Sequence, residues 1–178
     1  MNFNKQTSKK LITIDNPATR ELLSKFSQSQ NTLQCRHFIQ FLKVLFNLFM
    51  RDGKKHKVSS IFFKVFLLIK QDSLGNPLDF LLTSFHRLKP MLMLQSQHQG
   101  RLRRAVPIPI TKNRQIFLSA TWLKRGVMQR PEKGLDQKIF NELKDINSGE
   151  AQSLKFKKKF YQEIFKNRSY IRLLKFRK

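Results

Sequence analysis

The stretch from Phe38 to Ile69 constrains the fold most, because two strongly apolar segments are joined there by a short basic turn. The first segment, FIQFLKVLFNLFM, has Lys43 and Asn47 as its main polar residues, and the second, VSSIFFKVFLLI, is similarly apolar. Segments that are apolar on nearly every side are typical of helices buried over most of their circumference. We therefore expect a buried helical hairpin against which the rest of the chain packs.

The turn of this hairpin spans residues 50–57 and reads MRDGKKHK. Gly53 can adopt the left-handed conformation that commonly follows a helix end, so we predict that it is the C-cap of the first helix. Lys54, Lys55 and Lys57 would then lie at an exposed corner of a rigid scaffold. These lysines could bind phosphates, or they could simply be solvated residues that keep the hairpin soluble. Lys57 could equally be the solvated start of the second helix.

The remaining segments predict helices and one β-ribbon. Before the hairpin, residues 1–17 read as a basic extended arm, residues 18–26 as a short helix and residues 27–32 as a polar linker. Asn76 and Pro77 are typical of the N-cap and first position of a helix, and Pro90 stops it. Three later helices are expected at residues 115–130, at residues 135–146 and from residue 151 onward, with residues 111–114 as a basic connector and residues 147–149 closing the second.

In residues 90–110 the apolar side chains no longer follow helical spacing. The segment resembles two strands around a turn near Gln99 and Gly100. Pro107 and Pro109 lack amide donors on the same edge, so the return strand is unsuited to the middle of a sheet. The sequence thus predicts a mainly α, single-domain bundle of about six helices with a protruding two-stranded antiparallel β-ribbon. We expect the helical domain to span residues 35–178 and the arm, short helix and linker to occupy residues 1–34.

The net charge of +25, from 36 Lys and Arg against 11 Asp and Glu, predicts a polyanionic partner. Nucleic acid is the first candidate and an acidic membrane surface the second. A packed core is still expected, because 40% of the residues are hydrophobic and 17 are Phe. No apolar run reaches the length of a membrane span, so none is expected. The single Cys35 excludes an intramolecular disulfide.

The cations are unevenly distributed along the chain. No acidic residue lies between Phe80 and Pro131, which include the ribbon, and a second basic cluster begins at Lys155. Arginine suits bidentate phosphate contacts and stacking on exposed bases, whereas lysines supply bulk charge. We predict RNA contacts at the following residues: Lys9, Lys10, Lys54, Lys55, Lys57, Arg101, Arg103, Arg104, Lys112, Arg114, Lys155, Lys157, Lys158, Lys159, Lys166 and Arg168.

Residue patterns typical of catalysis are missing. The acidic residues are scattered singly along the sequence, whereas two-metal phosphoryl chemistry needs carboxylates brought together. Cys35 and His37 have no further Cys to complete a zinc site, and Gly53 lacks the upstream glycine of a phosphate-binding loop. We expect no catalytic residue, no metal and no cofactor. The alternatives left open are a basic amphipathic membrane-surface protein and a nucleic-acid-processing factor.

The order of several short motifs resembles the family of the bacterial-type small-subunit ribosomal protein seven, from about residue 35 to the C-terminus. The most specific motif is LFMRDGKK at residues 48–55, followed by Ile61-Phe62. The others are Leu88-Lys89-Pro90 before the ribbon, AVPIPI at residues 105–110, Arg114 with Ala120 and Trp122, Asn141-Glu142-Leu143, and NRSY at residues 167–170. The ribbon tip departs from the family pattern, because residues 97–101 read QHQGR and the charge lies on the return strand.

This resemblance implies a non-catalytic protein that binds small-subunit ribosomal RNA of the 3′ major (head) domain and aids head assembly. It also implies neighbouring head proteins as partners and a ribbon placed near the exit-site tRNA and the mRNA exit path. The resemblance is to an organellar, and first of all a mitochondrial, version of the family. The abundance of Phe, Lys, Asn and Ile suggests an AT-rich genome, which points to an organelle or a protist. Another organelle or the bacterial cytoplasm is the alternative location.

Overall fold

The computed structural model describes residues 32–72, 75–99 and 101–173 of the chain. The predicted arm, the predicted short helix and the candidate ligands Lys9 and Lys10 lie outside the described residues. Within them the secondary structure elements are, in order, α1 (Thr32–Phe49), α2 (Lys55–Gln71), α3 (Pro77–Leu88), β1 (Leu92–Gln99), β2 (Leu102–Pro109), α4 (Lys112–Met128), α5 (Leu135–Ser148), α6 (Gln152–Lys166) and a 3-10 helix (Arg168–Leu173). The predicted mainly α fold with an antiparallel ribbon is confirmed.

Helices α1 to α5 share one hydrophobic core, which Ala151 before α6 also joins. Between Phe38 and Met50 only Lys43 and Asn47 are exposed, so the first half of the predicted hairpin is confirmed. Its aromatic side chains pack across the core: the ring centres of Phe41 and Phe85 are 4.4 Å apart. The helix starts at Thr32, six residues before the predicted start of the hairpin and inside the predicted linker.

The second half of the hairpin differs from the prediction. In α2 the residues Val58, Phe62, Val65 and Ile69 are buried, but two large apolar side chains on the other side are exposed. Helix α2 packs on α5, and less extensively on α1 and α3, which lie on its inner side. The expectation that this segment is buried over most of its circumference is therefore wrong, because α2 lies at the edge of the bundle.

The turn between α1 and α2 contains two consecutive left-handed residues, Asp52 with φ 52° and Gly53 with φ 69°. Because α1 already ends at Phe49, Gly53 is not its C-cap, and that prediction is wrong. The glycine instead belongs to the turn that starts α2, in which the amide of Lys54 donates to the carbonyl of Arg51 at 3.0 Å. The two left-handed residues reverse the chain in the short space between the helices.

Replacing Gly53 by alanine is expected to destabilise the chain by about 1–2 kcal/mol, because a Cβ disfavours the left-handed conformation. Apart from its chain neighbours, no atom of the described residues lies within 4 Å of the position that this Cβ would take, so the expected loss comes from the backbone conformation. Urea unfolding of the purified chain measures it. A Gly53→Asn control should lose less, because asparagine tolerates this conformation better. Equal stability of Gly53→Ala and the wild type would contradict the conformation assigned to the turn.

The ribbon follows α3, whose predicted start is confirmed: Pro77 is its first residue, and the side chain of Asn76 accepts a hydrogen bond from the amide of Leu78 at 3.3 Å. Strands β1 and β2 pair antiparallel from Leu92↔Pro109 to Gln99↔Leu102. At the base of the ribbon the amide of Ile110 donates to the carbonyl of Met91 at 3.1 Å. Hydrogen-bonded and non-hydrogen-bonded pairs alternate along an antiparallel ribbon. Because Ile110 is hydrogen-bonded to Met91, Pro109 and Pro107 occupy non-hydrogen-bonded positions. Both proline nitrogens therefore lie on the outer edge, as predicted.

In the second half of the chain one predicted helix boundary differs from the structure and one agrees with it. Helix α4 starts at Lys112 after an extended Thr111, so the predicted connector is its first turn and not a loop. Helix α5 is closed by Gly149 with φ 101°, whose amide donates to the carbonyl of Asp145 at 2.8 Å, as expected. In the last segment Ile164 is buried, whereas Phe165 and Ile171 are exposed.

Candidate nucleic-acid interface

The basic turn between α1 and α2 presents Arg51, Lys54, Lys55 and Lys57 to solvent. The ammonium of Lys54 lies 3.6 Å from the carboxylate of Asp52, but both side chains are more than half exposed. Such a pair is screened by water and contributes little, so Lys54 can exchange it for a phosphate. Lys55 and Lys57 form no ion pair with any described residue. The turn thus offers a group of cations on a fixed backbone.

Helix α4 carries a second cationic surface that the sequence prediction captured only in part. Arg114, Phe117, Thr121, Lys124 and Met128 are spaced by three or four residues, so they share one face of the helix. The guanidinium carbon of Arg114 lies 5.6 Å from the ring centre of Phe117, which is 43% exposed. The result is an aromatic ring bordered by cations, a combination suited to stacking on a base while phosphates are bound beside it.

A groove of about 460 Å³ runs along this face. Its lining residues include both apolar and cationic side chains and are Leu48, Phe117, Thr121, Lys124, Arg125, Met128 and Gln129. We call these residues together with Arg114 the α4 groove. None of Phe117, Lys124 and Arg125 was predicted from the sequence as a contact residue. The signal that could have found them is the recurrence of Arg, Phe, Lys and Met on a face next to that of the buried Ile116, Ala120, Leu123 and Val127.

The α4 groove and the basic turn are neighbours. The side-chain amide of Gln40 donates to the side-chain oxygen of Asn113 at 3.2 Å, which joins the N-terminal half of α1 to the start of α4. Leu48, near the end of α1, lines the groove farther along α4. Since the turn follows two residues later, its first cation is within about 10 Å of Leu48 along the chain. The two predicted groups of ligands therefore belong to one side of the molecule.

The ribbon is fixed to the C-terminal part of the chain. The guanidinium carbon of Arg104 lies 5.2 Å from the ring centre of Tyr170 in the 3-10 helix. The hydroxyl of Tyr161 in α6 accepts a hydrogen bond from the amide of Met91 at 2.8 Å. Arg103 and Arg101 extend beyond these contacts and are exposed, and Arg103 pairs with His98 on the neighbouring strand. The ribbon therefore presents two exposed arginines from an anchored base.

Most of the predicted cations of α6 are exposed, but one has a structural contact. The ammonium of Lys157 donates to the backbone carbonyl of Arg87 at 2.5 Å and thereby joins α6 to α3. Burial lowers the pKa of this ammonium. The predicted ligands that the structure leaves exposed are Lys54, Lys55, Lys57, Arg101, Arg103, Lys112, Arg114, Lys155, Lys158, Lys159, Lys166 and Arg168. Arg104 and Lys157 are half-buried.

Arg130 is surrounded by acidic residues and is not a free cation. Its guanidinium donates to Glu142 at 2.7 Å, to Glu132 at 3.2 Å and to Asp145. Burial acts to lower the pKa of Arg130, but the hydrogen bonds to Asp145 and Glu142 and the charges of these two carboxylates outweigh it and raise the pKa. The hydrogen bond from Asn141, with those from Arg130, lowers the pKa of Glu132. The acidic residues are scattered singly along the sequence, but folding brings three of them together around this guanidinium.

Glu142 is the centre of this cluster and has no exposed surface. Its second carboxylate oxygen accepts hydrogen bonds from the amide and the hydroxyl of Ser153, at 2.9 and 2.6 Å. A Cβ on Gly126 of α4 would overlap that oxygen, so the glycine makes room for the carboxylate. The cluster thus connects α4, α5 and α6. Its carboxylates surround a guanidinium, and among the described residues no group of His, Cys, Asp and Glu side chains is arranged to hold a metal ion.

None of the helices in the described ranges combines the length and the apolar character needed to cross a membrane.

Comparison with known proteins gives a consistent result. The profile of the family described as "Ribosomal protein S7p/S5e" matches residues 16–164. A small ribosomal subunit protein uS7 of Thermus thermophilus is 30% identical over 124 residues, which are 70% of this chain and 80% of that protein. The proteins of the same name from Lactobacillus delbrueckii subsp. bulgaricus and Methylibium petroleiphilum are 28% and 25% identical, over 71% and 72% of this chain and 81% and 83% of theirs. The chain belongs to the ribosomal protein S7p/S5e family.

Proposed function

We propose that this chain is a structural, RNA-binding component of the small ribosomal subunit. The observation that supports this most directly is the α4 groove, in which an exposed aromatic ring is bordered by Arg114, Lys124 and Arg125 next to the cations of the turn. Phosphate contacts would come from the lysines and arginines, and stacking on an unpaired base from Phe117. The family membership identifies the small ribosomal subunit as the assembly in which this RNA is bound.

The finer parts of the proposal concern position within the subunit. We propose that the RNA is that of the 3′ major (head) domain, that the chain aids head assembly, and that other head proteins are its neighbours. The anchored ribbon, with Arg101 and Arg103 exposed, is suited to reach the exit-site tRNA and the mRNA exit path. We propose a mitochondrial location because the abundance of Phe, Lys, Asn and Ile suggests coding in an AT-rich genome. The relatives named above are bacterial.

Sedimentation tests the assembly directly. The chain, detected with an antibody in a mitochondrial lysate, should migrate with the small ribosomal subunit in a sucrose gradient and should leave that position after treatment with ribonuclease. Migration with membranes, or at the top of an untreated gradient, would refute the proposal. Finding the chain only on a bacterial or other organellar subunit would refute the location alone.

The role of the basic turn is tested by replacing Lys54 and Lys55 together with alanine. The logarithm of the association constant for head-domain RNA should fall less steeply with the logarithm of salt concentration, by roughly 1–2 in slope, because two phosphate contacts are lost. In a matched control, Lys133 and Lys144 are replaced by alanine, which removes the same amount of charge. Both side chains are exposed, and the ammonium of Lys144 lies 3.2 Å from the carboxylate of Asp72. A slope equal to that of the wild type in the first variant would exclude these lysines as phosphate ligands.

A further inference from the structure

Helix α2 leaves an apolar pair uncovered on the side opposite the core. Phe63 is 54% exposed and Leu67 is 45% exposed. With about 3.6 residues per turn, side chains four positions apart are adjacent on a helix surface, so the two form one continuous patch. The core residues of α2, such as Phe62 and Val65, point to the opposite side. We call Phe63, Leu67 and the exposed lysines beside them the α2 outer face.

The border of this face is cationic. Lys57, Lys64 and Lys70 are exposed on the same helix, and α2 contains no acidic residue. The acidic residues at its two ends are already paired: Asp52 with Lys54 at 3.6 Å and Asp72 with Lys144 at 3.2 Å. An apolar centre with a border of one charge matches a partner that has apolar residues between acidic ones.

The surroundings of Phe63 differ from those of Phe117. Within the described part of the chain Phe117 has a guanidinium over its ring, whereas Phe63 is in no such contact and has Leu67 beside it instead. A leucine offers neither a ring for stacking on a base nor a hydrogen-bond donor, so RNA would gain little from this pair. Two apolar side chains one turn apart instead form the ridge that fits between the side chains of a second helix.

We propose that the α2 outer face docks an acidic amphipathic helix of a different protein. The proposal rests on the proposed function, under which this partner is a neighbouring protein of the small ribosomal subunit. Apolar residues of the partner helix would cover Phe63 and Leu67, and its carboxylates would pair with Lys57, Lys64 and Lys70. A second copy of this chain does not fit, because a symmetric contact would bring two cationic borders together.

A photo-crosslinking experiment on the full chain tests this. Phe63 is replaced by p-benzoylphenylalanine, which retains an aromatic side chain at an exposed position, and the chain is incorporated into small subunits in cells before irradiation. We expect a covalent link to another protein, at a segment whose acidic and apolar residues alternate with helical spacing. The yield should fall at least threefold when Lys64→Glu is added. A link to RNA, to residues 1–31 of the same chain or to a second copy, or no link at all, would overturn the proposal.

The same probe at position 117 separates failure of this inference from failure of the proposed function. A link to ribosomal RNA from position 117, together with no link to protein from position 63, would refute the docking face alone. If neither variant enters small subunits while the wild-type chain is also absent from them, the ribosomal assignment itself fails, and the docking proposal fails with it. An unchanged yield after Lys64→Glu would refute the acidic character of the partner.

Discussion

Replacing Glu142 by alanine is expected to destabilise the free chain by about 3–5 kcal/mol, because it removes the most buried ion-pair partner of the Arg130 guanidinium. The substitution would leave Arg130 with only the two less buried acids, Glu132 and Asp145. It would also remove the acceptor of two hydrogen bonds from Ser153 at the start of α6. This is the largest single effect that we expect from any polar residue of the described chain.

The measurement is urea unfolding followed by fluorescence of Trp122, the only tryptophan, which is buried and lies 5.3 Å from the ring of Phe160 in α6. Because the chain carries a net charge of +25, the buffer should contain enough salt to screen self-repulsion. A Glu163→Ala control removes an exposed acid from α6 and should change stability by less than about 0.5 kcal/mol. Equal losses in the two variants would show that Glu142 has no special role in joining the helices.

The second large effect is expected on RNA binding. Replacing Phe117 by alanine removes the ring of the α4 groove and should weaken binding of head-domain RNA by about 1–3 kcal/mol, the usual contribution of one stacked base. Replacing Arg114 should weaken binding as well, and it should also reduce the salt-dependence slope by about 1. The two substitutions therefore differ in their salt dependence, since only one of them removes a charge.

Filter binding or fluorescence anisotropy at several salt concentrations measures both quantities. The matched control is Phe63→Ala, which removes a similarly exposed phenylalanine from the α2 outer face and should leave the affinity for RNA unchanged. If Phe117→Ala binds RNA as tightly as the control does, the α4 groove does not stack on a base. A loss in both variants would instead indicate that RNA covers α2 as well.

The helical hairpin shows which features of the fold could be predicted from the sequence and which could not. In α1 the two polar residues Lys43 and Asn47 are four positions apart, so a single narrow exposed stripe could be predicted and is observed. In α2 the exposed Phe63 and Leu67 are as apolar as the buried Phe62 and Ile69. Periodicity cannot distinguish two apolar faces of one helix, because the difference depends on which helices pack against it. The location of α2 at the edge of the bundle is a property of the tertiary structure.

In the candidate site, too, some features could be predicted from the sequence and others depend on the tertiary structure. Arg114 was predicted from the scarcity of acidic residues in its stretch of the sequence, and the structure leaves it exposed. Arg130 lies in the same acid-free stretch, but folding surrounds it with acidic side chains. Arg130 is separated from Glu142 and Asp145 by a loop and parts of a helix, and only folding brings their side chains together. Phe117 was missed for a related reason: an aromatic residue in an apolar helix reads as core, and its exposure depends on where α1 ends beside it.

The contact between Gly126 and Glu142 also restricts how this family can vary. A side chain on Gly126 requires the space that the carboxylate oxygen of Glu142 occupies, and a shorter residue at position 142 leaves Arg130 without its most buried partner. A substitution at either position alone is therefore selected against, and the two positions should change together or not at all. In an alignment of relatives, residues larger than glycine at the first position are expected only where the second has lost its glutamate.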